Sequence, residues 1–521
     1  MSKQRNFLLG LAGAAQIVAL TCATPQAWAR ATQPMAAKAA RQADQPYQDN
    51  NVYKFGADDS LPAAMATEKA AVTHGQVMID QQVIPYTATA GHLTATDTQS
   101  GKPKATVFYV AYTADGQKAA NRPVTFFYNG GPGSSSVWLH LGSFAPKRIV
   151  TGDPTTTEPT PFPFIDNQQS LIDTTDMVFV DAVGTGLSEA ISPYTNRNLW
   201  GVDADAAVFR DFVTRYLQVN RRMASPKYLF GESYGTPRTD VLANLLEMGG
   251  THLSGIVLQS SVLNYNTNAD MGSGSNSGYM PGYAAVGAHF NLLSTHPDHL
   301  APFLRQMRAF VAGRYEPAVQ SYLSSAHTQP PSGLLTQLFM NTGFPAAQWR
   351  GNFNLDETSF RSALIPGYLL GRYDGRVIAA NGSPLAADGD PSDTLITQPF
   401  TDRFNDYLPH GLKYSAVSNY NVLNDDTIND WNWNHDGLAM PDTIPDLAAA
   451  MYQNPRLKVL SLNGYHDLAT PFYITEQDLG RLGTMPSLEI KHYPGGHMIY
   501  LNDPSRPKMK RDLVKFYQRQ M

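Results

Sequence analysis

Cysteine is almost missing from this chain: Cys22 is the only one in 521 residues. No internal disulfide can form, so stability must come from core burial. Long hydrophobic runs are also scarce. Phe7 to Leu20 is mostly apolar but too short to span a bilayer comfortably, and no later segment reads as transmembrane. There is no long basic run, and the formal net charge is −5, which argues against a nucleic-acid partner. No ligand-spaced histidine pair is present, so a metal role is weak. Internal repeats are absent. What the chain does have is 42% hydrophobic and 16% charged residues, the balance of a folded globular protein. Its length exceeds one compact core, so two or three domains are the starting expectation.

The first residues read as a targeting segment. Lys3 and Arg5 give a basic front, the apolar stretch follows, and Ala27-Trp28-Ala29 is a small-x-small cleavage site. Residues 1–29 are therefore expected to be a signal peptide, and the protein to be exported to the periplasm or beyond the cell. Leu20-Thr21-Cys22 is a poor lipoprotein box, which disfavours a lipid anchor on Cys22. Cleavage after Ala29 would leave no cysteine. Residues 30–73 are rich in Ala, Gln, Asp and Thr without a clear period, and read as a mobile leader.

Strand and helix then alternate. Strand patterns fall at Ala105–Tyr112, Val124–Tyr128, Met177–Val180, Lys227–Phe230, Leu253–Gln259, Leu457–Leu462 and Leu488–Tyr493. Helical spacing appears over 203–219, after 235, at about 474–482 and at about 505–519. This rhythm predicts an α/β fold with a mostly parallel central sheet. It lapses between about 265 and 445, where helical patterns and loops dominate. The expected organisation is a core of 74–264 and 446–521 with 265–445 inserted as a largely helical cap.

Gly231-Glu232-Ser233-Tyr234-Gly235 lies between a strand and a helix, the setting of a nucleophile elbow. The turn is tight enough to require glycine on both sides of the serine. Asp467 and His497 each follow a later strand, so parallel strands would bring all three to one end of the sheet. Ser, Asp, His is the α/β-hydrolase order. Serine needs a base to take its proton, His497 has a usable pKa, and Asp467 would fix its tautomer. Asn129-Gly130-Gly131-Pro132-Gly133-Ser134 also follows a strand. It lacks the lysine of a phosphate loop, and its glycines suit an oxyanion hole.

Asn129–Ser136, Val180–Ser188, Gly231–Gly235, Asp467 and Gly496-His497-Met498, in that order, make the chain resemble the serine carboxypeptidase family, and its bacterial branch in particular. The resemblance implies an α/β-hydrolase that releases single amino acids from peptide C-termini without a cofactor. It implies Ser233 as nucleophile, His497 as base and Asp467 as its orienter. It implies the Gly131 and Tyr234 N–H groups as the oxyanion hole, and Asn129 and Glu232 as the binders of the substrate carboxylate. Three departures stand out. Phe127 replaces a frequent Trp, Ser134 replaces a frequent disulfide Cys, and His140-Leu141-Gly142 stands where many members have Glu-Leu-Gly. We therefore expect His140 to share the carboxylate corner with Glu232. An esterase or acyltransferase on the same acyl-enzyme, and a non-catalytic peptide binder, are the alternative readings. Trp431-Asn432-Trp433-Asn434-His435 either lines the cleft or forms a cluster in the cap.

Overall fold

The computed structural model describes residues 43–98, 100–152, 161–267, 274–325 and 329–519. The expected signal peptide, Cys22 and residues 30–42 of the expected leader lie outside this set. The strands that matter for the site are β1 (Tyr47–Asp49), β2 (Ala70–Ile79), β3 (Gln82–Thr96), β4 (Pro103–Ala114), β5 (Val124–Tyr128), β6 (Asp176–Val180), β7 (Lys227–Glu232), β8 (Gly255–Gln259), β9 (Tyr414–Ala416), β10 (Lys458–Gly464) and β11 (Leu488–Tyr493). The main sheet runs β11-β10-β8-β7-β5-β6-β4-β3-β2. From β11 to β6 every neighbouring pair is parallel, and from β6 to β2 every pair is antiparallel.

The parallel strands read as continuous apolar runs because both faces are covered. Every residue of β5, β6, β7, β8 and β10 is buried. The helices include α1 (Val137–Gly142), α2 (Val202–Val219), α3 (Gly235–Met248), α4 (Met280–His289), α5 (Pro391–His410), α6 (Ile444–Gln453), α7 (Phe472–Gly480) and α8 (Arg506–Gln518). One face of the sheet packs on α1, α5 and α8 through Trp138, Phe400, Phe404 and Phe516. The other packs on α2, α3 and α6 through Phe209, Phe212, Leu242 and Leu447. Phe127 lies between the rings of Phe179 and Phe230, with centroids 5.0 and 4.9 Å away, so the smaller ring at this position completes an aromatic stack across three strands.

Two expectations about domain limits need correction. The stretch expected as a mobile leader is built into the fold from residue 43 onward. β1 pairs with β9, and buried Asp49 accepts hydrogen bonds from the hydroxyls of Tyr53 (2.8 Å) and Tyr414 (2.5 Å). A polar sequence hid a segment held by long-range partners. The insertion from 265 to 445 is also not one cap. Helices between Met280 and Ala363 share a cluster of their own with Leu468 and Phe472. α5, by contrast, turns Ile396, Phe400, Phe404 and Tyr407 onto the sheet-facing cluster. The sequence shows helical patterns across this insertion, but not which core a given helix joins.

The segment after β9 returns to the sheet. Asn421 exchanges backbone hydrogen bonds with Gly186, Ser135 donates to Val422, and Asn424 donates to Gly133. The Asn424 side chain donates to the Gly184 carbonyl at 2.9 Å. These bonds hold the glycine loop at 130–136 where Ser134 rules out a disulfide. Further along, His435 is clamped between Asp203 (2.7 Å) and Asp446 (2.8 Å). Hydrogen bonds to these two carboxylates raise its imidazole to about 10, so it is an internal cation at neutral pH. His435, Asp436 and Asp446 lie close enough to face a metal ion, but both ring nitrogens already meet a carboxylate.

Candidate active site

Ser233 sits one residue past β7, and α3 begins two residues later. Its φ of 59° is the left-handed conformation that an L-residue adopts only under constraint. A Cβ on Gly231 would lie 2.1 Å from the Gly235 carbonyl, so glycine is required at that side of the elbow. The Ser233 N–H donates to the carbonyl of Gln259 at the end of β8 (3.0 Å), which fixes the turn against the sheet.

His497 follows β11 and Asp467 follows β10. His497 Nδ1 and Asp467 Oδ2 are 2.9 Å apart and both groups are buried. Asp467 Oδ1 accepts the N–H groups of Ala469 and Thr470, each at 2.9 Å, and Oδ2 accepts the Thr470 hydroxyl at 2.7 Å. That leaves Oδ2 aimed at the imidazole. The His497 N–H donates to the Tyr373 carbonyl (2.6 Å), and its carbonyl accepts from Ser260 (2.6 Å). The Tyr373 ring lies 4.9 Å from the imidazole. Burial alone would lower the His497 pKa. The charge and hydrogen bond of Asp467 outweigh it and hold the pKa above its ordinary value. Among the described residues no hydrogen bond reaches the Ser233 hydroxyl, though Ser233 and His497 line one cavity. Catalytic contacts of this kind often tighten only when substrate is bound.

The glycine loop approaches the elbow from β5. A Cβ on Gly130 would come within 2.3 Å of the Tyr234 nitrogen. Gly131 has φ 103°, which turns its peptide toward the same side. Among the described residues neither the Gly131 nor the Tyr234 N–H donates to another group. Both are therefore available to a substrate oxygen. The Tyr234 ring is wedged against Trp431, with centroids 5.2 Å apart. Trp433 packs on Tyr265 and lines a cavity beside Ser233. The aromatic run is thus both a buried brace and a cleft wall.

Asn129 and Glu232 meet in the expected corner: Asn129 Nδ2 donates to Glu232 Oε1 at 2.7 Å. The amide cannot be turned round, because its Oδ1 accepts the Leu139 N–H (3.0 Å). Arg238 donates to the Asn129 carbonyl at 2.6 Å and to Asp205 at 2.5 Å, so a buried ion pair steadies the residue from behind. The other partners of Glu232 are Gln259 Nε2 (2.5 Å) and the Tyr500 hydroxyl (3.2 Å). Burial raises its carboxyl to about 7, against the opposing pull of His497 and the hydrogen bonds.

His140 is not part of this corner. It lies on α1 with its Nε2 2.7 Å from the Tyr112 hydroxyl and its ring stacked on Phe179 at 4.6 Å. Burial pushes its pKa down to about 3, so it is a neutral core residue. α1 turns Asn129's partner Leu139 inward through its backbone, and the neighbouring His140 side chain faces away. Neutral donors on Gln259 and Tyr500, not a second titrating group, complete the corner. Gln259 had a legible signal in its place at a strand's end, and Tyr500 follows His497 by three residues. Thr470 and Arg238 gave none.

Two cavities flank Ser233. One, of about 480 Å³, is walled by Val262, Tyr265, Ile428 and Trp433. The other, of about 70 Å³, contains Asn129, Glu232 and His497. A further cavity, about 720 Å³, lies along α5 and includes none of these residues.

An elbow serine, a buried His–Asp pair and facing N–H groups at the C-terminal edge of a parallel sheet define an α/β-hydrolase. Residues 78–267 match the family model for serine carboxypeptidases. Kex1, a prohormone-processing carboxypeptidase from Saccharomyces cerevisiae, shares the fold. The match has a TM-score of 0.52 and 16% identity, covering 83% of this chain and 91% of that one. A proline iminopeptidase from Mycobacterium smegmatis aligns with a TM-score of 0.33 and 14% identity over 86% of this chain and 98% of that one. No curated protein sequence matches this chain.

Proposed function

We propose that this protein is an exported exopeptidase that cleaves the last peptide bond of its substrates through an acyl-enzyme on Ser233. The observation that carries the reading is the Asn129–Glu232 pair at 2.7 Å, in one cavity with Ser233 and His497. His497 takes the Ser233 proton as the hydroxyl attacks the scissile carbonyl, and returns it to the leaving amine. The Gly131 and Tyr234 N–H groups receive the oxyanion. Water then repeats the cycle on the ester. A free C-terminal carboxylate distinguishes a terminal residue from an internal one, and Asn129 with protonated Glu232 offers it two donors.

The pH profile follows. Hydrolysis of any substrate should rise as His497 loses its proton. For free-acid peptides it should fall again as Glu232 loses its own near its raised value of about 7. The two groups interact, so the limbs report the pair. We expect kcat/KM for a free-acid peptide to decline on the alkaline side and that for its C-terminal amide or ester to show no such limb. Glu232→Gln should remove the limb for the free acid. Faster hydrolysis of the ester or amide at every pH would favour the esterase reading instead.

Export rests on the basic front, the apolar stretch and Ala27-Trp28-Ala29. Protein recovered outside the cytoplasm should begin at Arg30. A mass showing lipid on Cys22 would replace this with an anchored form.

A further inference from the structure

We propose that Asn424 is a positioning residue for the oxyanion hole: it fixes the turn that carries the Gly131 N–H. The inference rests on the acyl-enzyme reading above, which takes the Gly131 and Tyr234 N–H groups as the receivers of the oxyanion. Gly131 has no side chain to hold it, so the direction of its N–H is set by the turn around it. The Ser134 N–H closes that turn on the Gly130 carbonyl at 3.1 Å. Its outer side is pinned by residues 422–424. Ser135 donates to the Val422 carbonyl at 2.9 Å, and Asn424 donates to the Gly133 carbonyl at 2.8 Å. The contact is so close that a Cβ on Gly133 would lie 2.5 Å from the Asn424 carbonyl oxygen. A displacement of 422–424 therefore carries the turn with it.

The Asn424 amide anchors 422–424 to the rest of the fold. Its Nδ2 donates to the Gly184 carbonyl at 2.9 Å and to the Phe55 carbonyl at 2.8 Å. Both acceptors sit in held backbone. The Gly184 N–H donates to the Ser188 carbonyl at 3.0 Å. The carbonyls on either side of Phe55, those of Lys54 and Gly56, accept from Asn196 at 3.2 and 2.9 Å. Three segments distant in the chain thus meet at one buried amide. The ordinary role for asparagine here is to cap a helix. Asn424 precedes the short helix Asp425–Asn429, and its Oδ1 accepts the Asp426 N–H at 3.2 Å. Aspartate and serine cap about as well as asparagine. Neither offers two donors to two facing carbonyls, and aspartate would turn a carboxylate oxygen toward both. Capping and anchoring are therefore separable by substitution.

The test compares the wild type with Asn424→Asp and Asn424→Ser. The readings are kcat and KM on a free-acid peptide, the rate of Ser233 labelling by a fluorophosphonate, and thermal unfolding. Both variants should lower kcat by about tenfold or more, toward the roughly hundredfold cost of a 1 Å displacement at a reacting centre, with KM changed less than about threefold. The labelling rate should fall with kcat, because the phosphoryl oxygen uses the same two N–H groups. A residue needed only as a cap would leave both variants at wild-type rates, and that result would overturn the proposal. A rise in KM with kcat unchanged would overturn it too. Failure of both variants to fold would assign Asn424 to the stability of the whole chain and remove it from the oxyanion hole. If the aspartate variant alone fails to fold, the neutral serine variant decides. Labelled wild type with equal rates in the folded variants sinks this inference alone. A wild type that neither labels at Ser233 nor turns over sinks the acyl-enzyme reading and this one with it.

Discussion

Ser233→Ala should lower kcat on peptide substrates by about a millionfold, leaving only the turnover that the oxyanion donors and binding groups supply. The size of the loss follows from what the serine does. Ser233 carries the hydroxyl at the elbow and shares one cavity with His497 and Gly131, so removal of that oxygen should end acyl-enzyme formation. The fold should be untouched. Alanine fits the space, and the positive φ at 233 strains both residues alike. The Ser233 N–H bond to Gln259 is a backbone bond and survives the change. The measurements are peptide release, labelling by a fluorophosphonate and thermal unfolding. Wild-type turnover in the variant, or a fluorophosphonate adduct on a different residue, would show that the elbow is not the reacting centre.

The second large effect is expected at Asp467. Asp467→Asn should fold and yet lose about ten-thousandfold in rate at neutral pH. The carboxylate has two jobs that an amide divides. Its Oδ1 accepts from Ala469 and Thr470, and an asparagine carbonyl can continue to do so. Its Oδ2 faces His497 Nδ1, and there the asparagine would present an N–H. The imidazole must then accept at Nδ1 and carry its proton at Nε2, where it can no longer take one from Ser233. The Thr470 hydroxyl, 3.1 Å from the same nitrogen, still holds the ring but cannot offset an imidazolium charge. The raised pKa of His497 should also fall, since Asp467 is the larger of its two upward causes and Glu232 the smaller. Histidine NMR titration would read that shift independently of rate. Near-normal activity with an unshifted His497 would remove Asp467 from the mechanism.

The carboxylate corner shows how a correct motif can carry an incorrect neighbour. Asn129 and Glu232 meet as the resemblance implies, because β5 and β7 are adjacent and Gly231 lies opposite Tyr128. His140 follows Asn129 in the chain, and spacing alone places it within reach of the same corner. Yet one turn of α1 decides which of its side chains points at Glu232 and which at Phe179, and sequence spacing does not supply that rotation. The result changes the chemistry. A second titrating group would have shared a proton with Glu232. Neutral Gln259 and Tyr500 leave its protonation to burial and to His497.

The sequence by itself determined the order of strands and helices, the elbow at Ser233, the placing of Asp467 and His497 in later loops at the same sheet edge, and the glycine loop that faces them. Each depends on local rules: apolar runs long enough for a buried strand, glycines where no Cβ fits, and polar side chains in the loop just past a strand's end. The tertiary structure alone decided what lies around those groups. It brought residues 47–49 beside 414–416, bound α5 to the sheet rather than to a separate cap, and set the Asn424 amide against the carbonyls of Gly184 and Phe55. Those partners are far apart in the chain. No periodicity records which of several apolar faces an inserted helix will cover, because burial is non-directional and only the packing of the whole core selects among them.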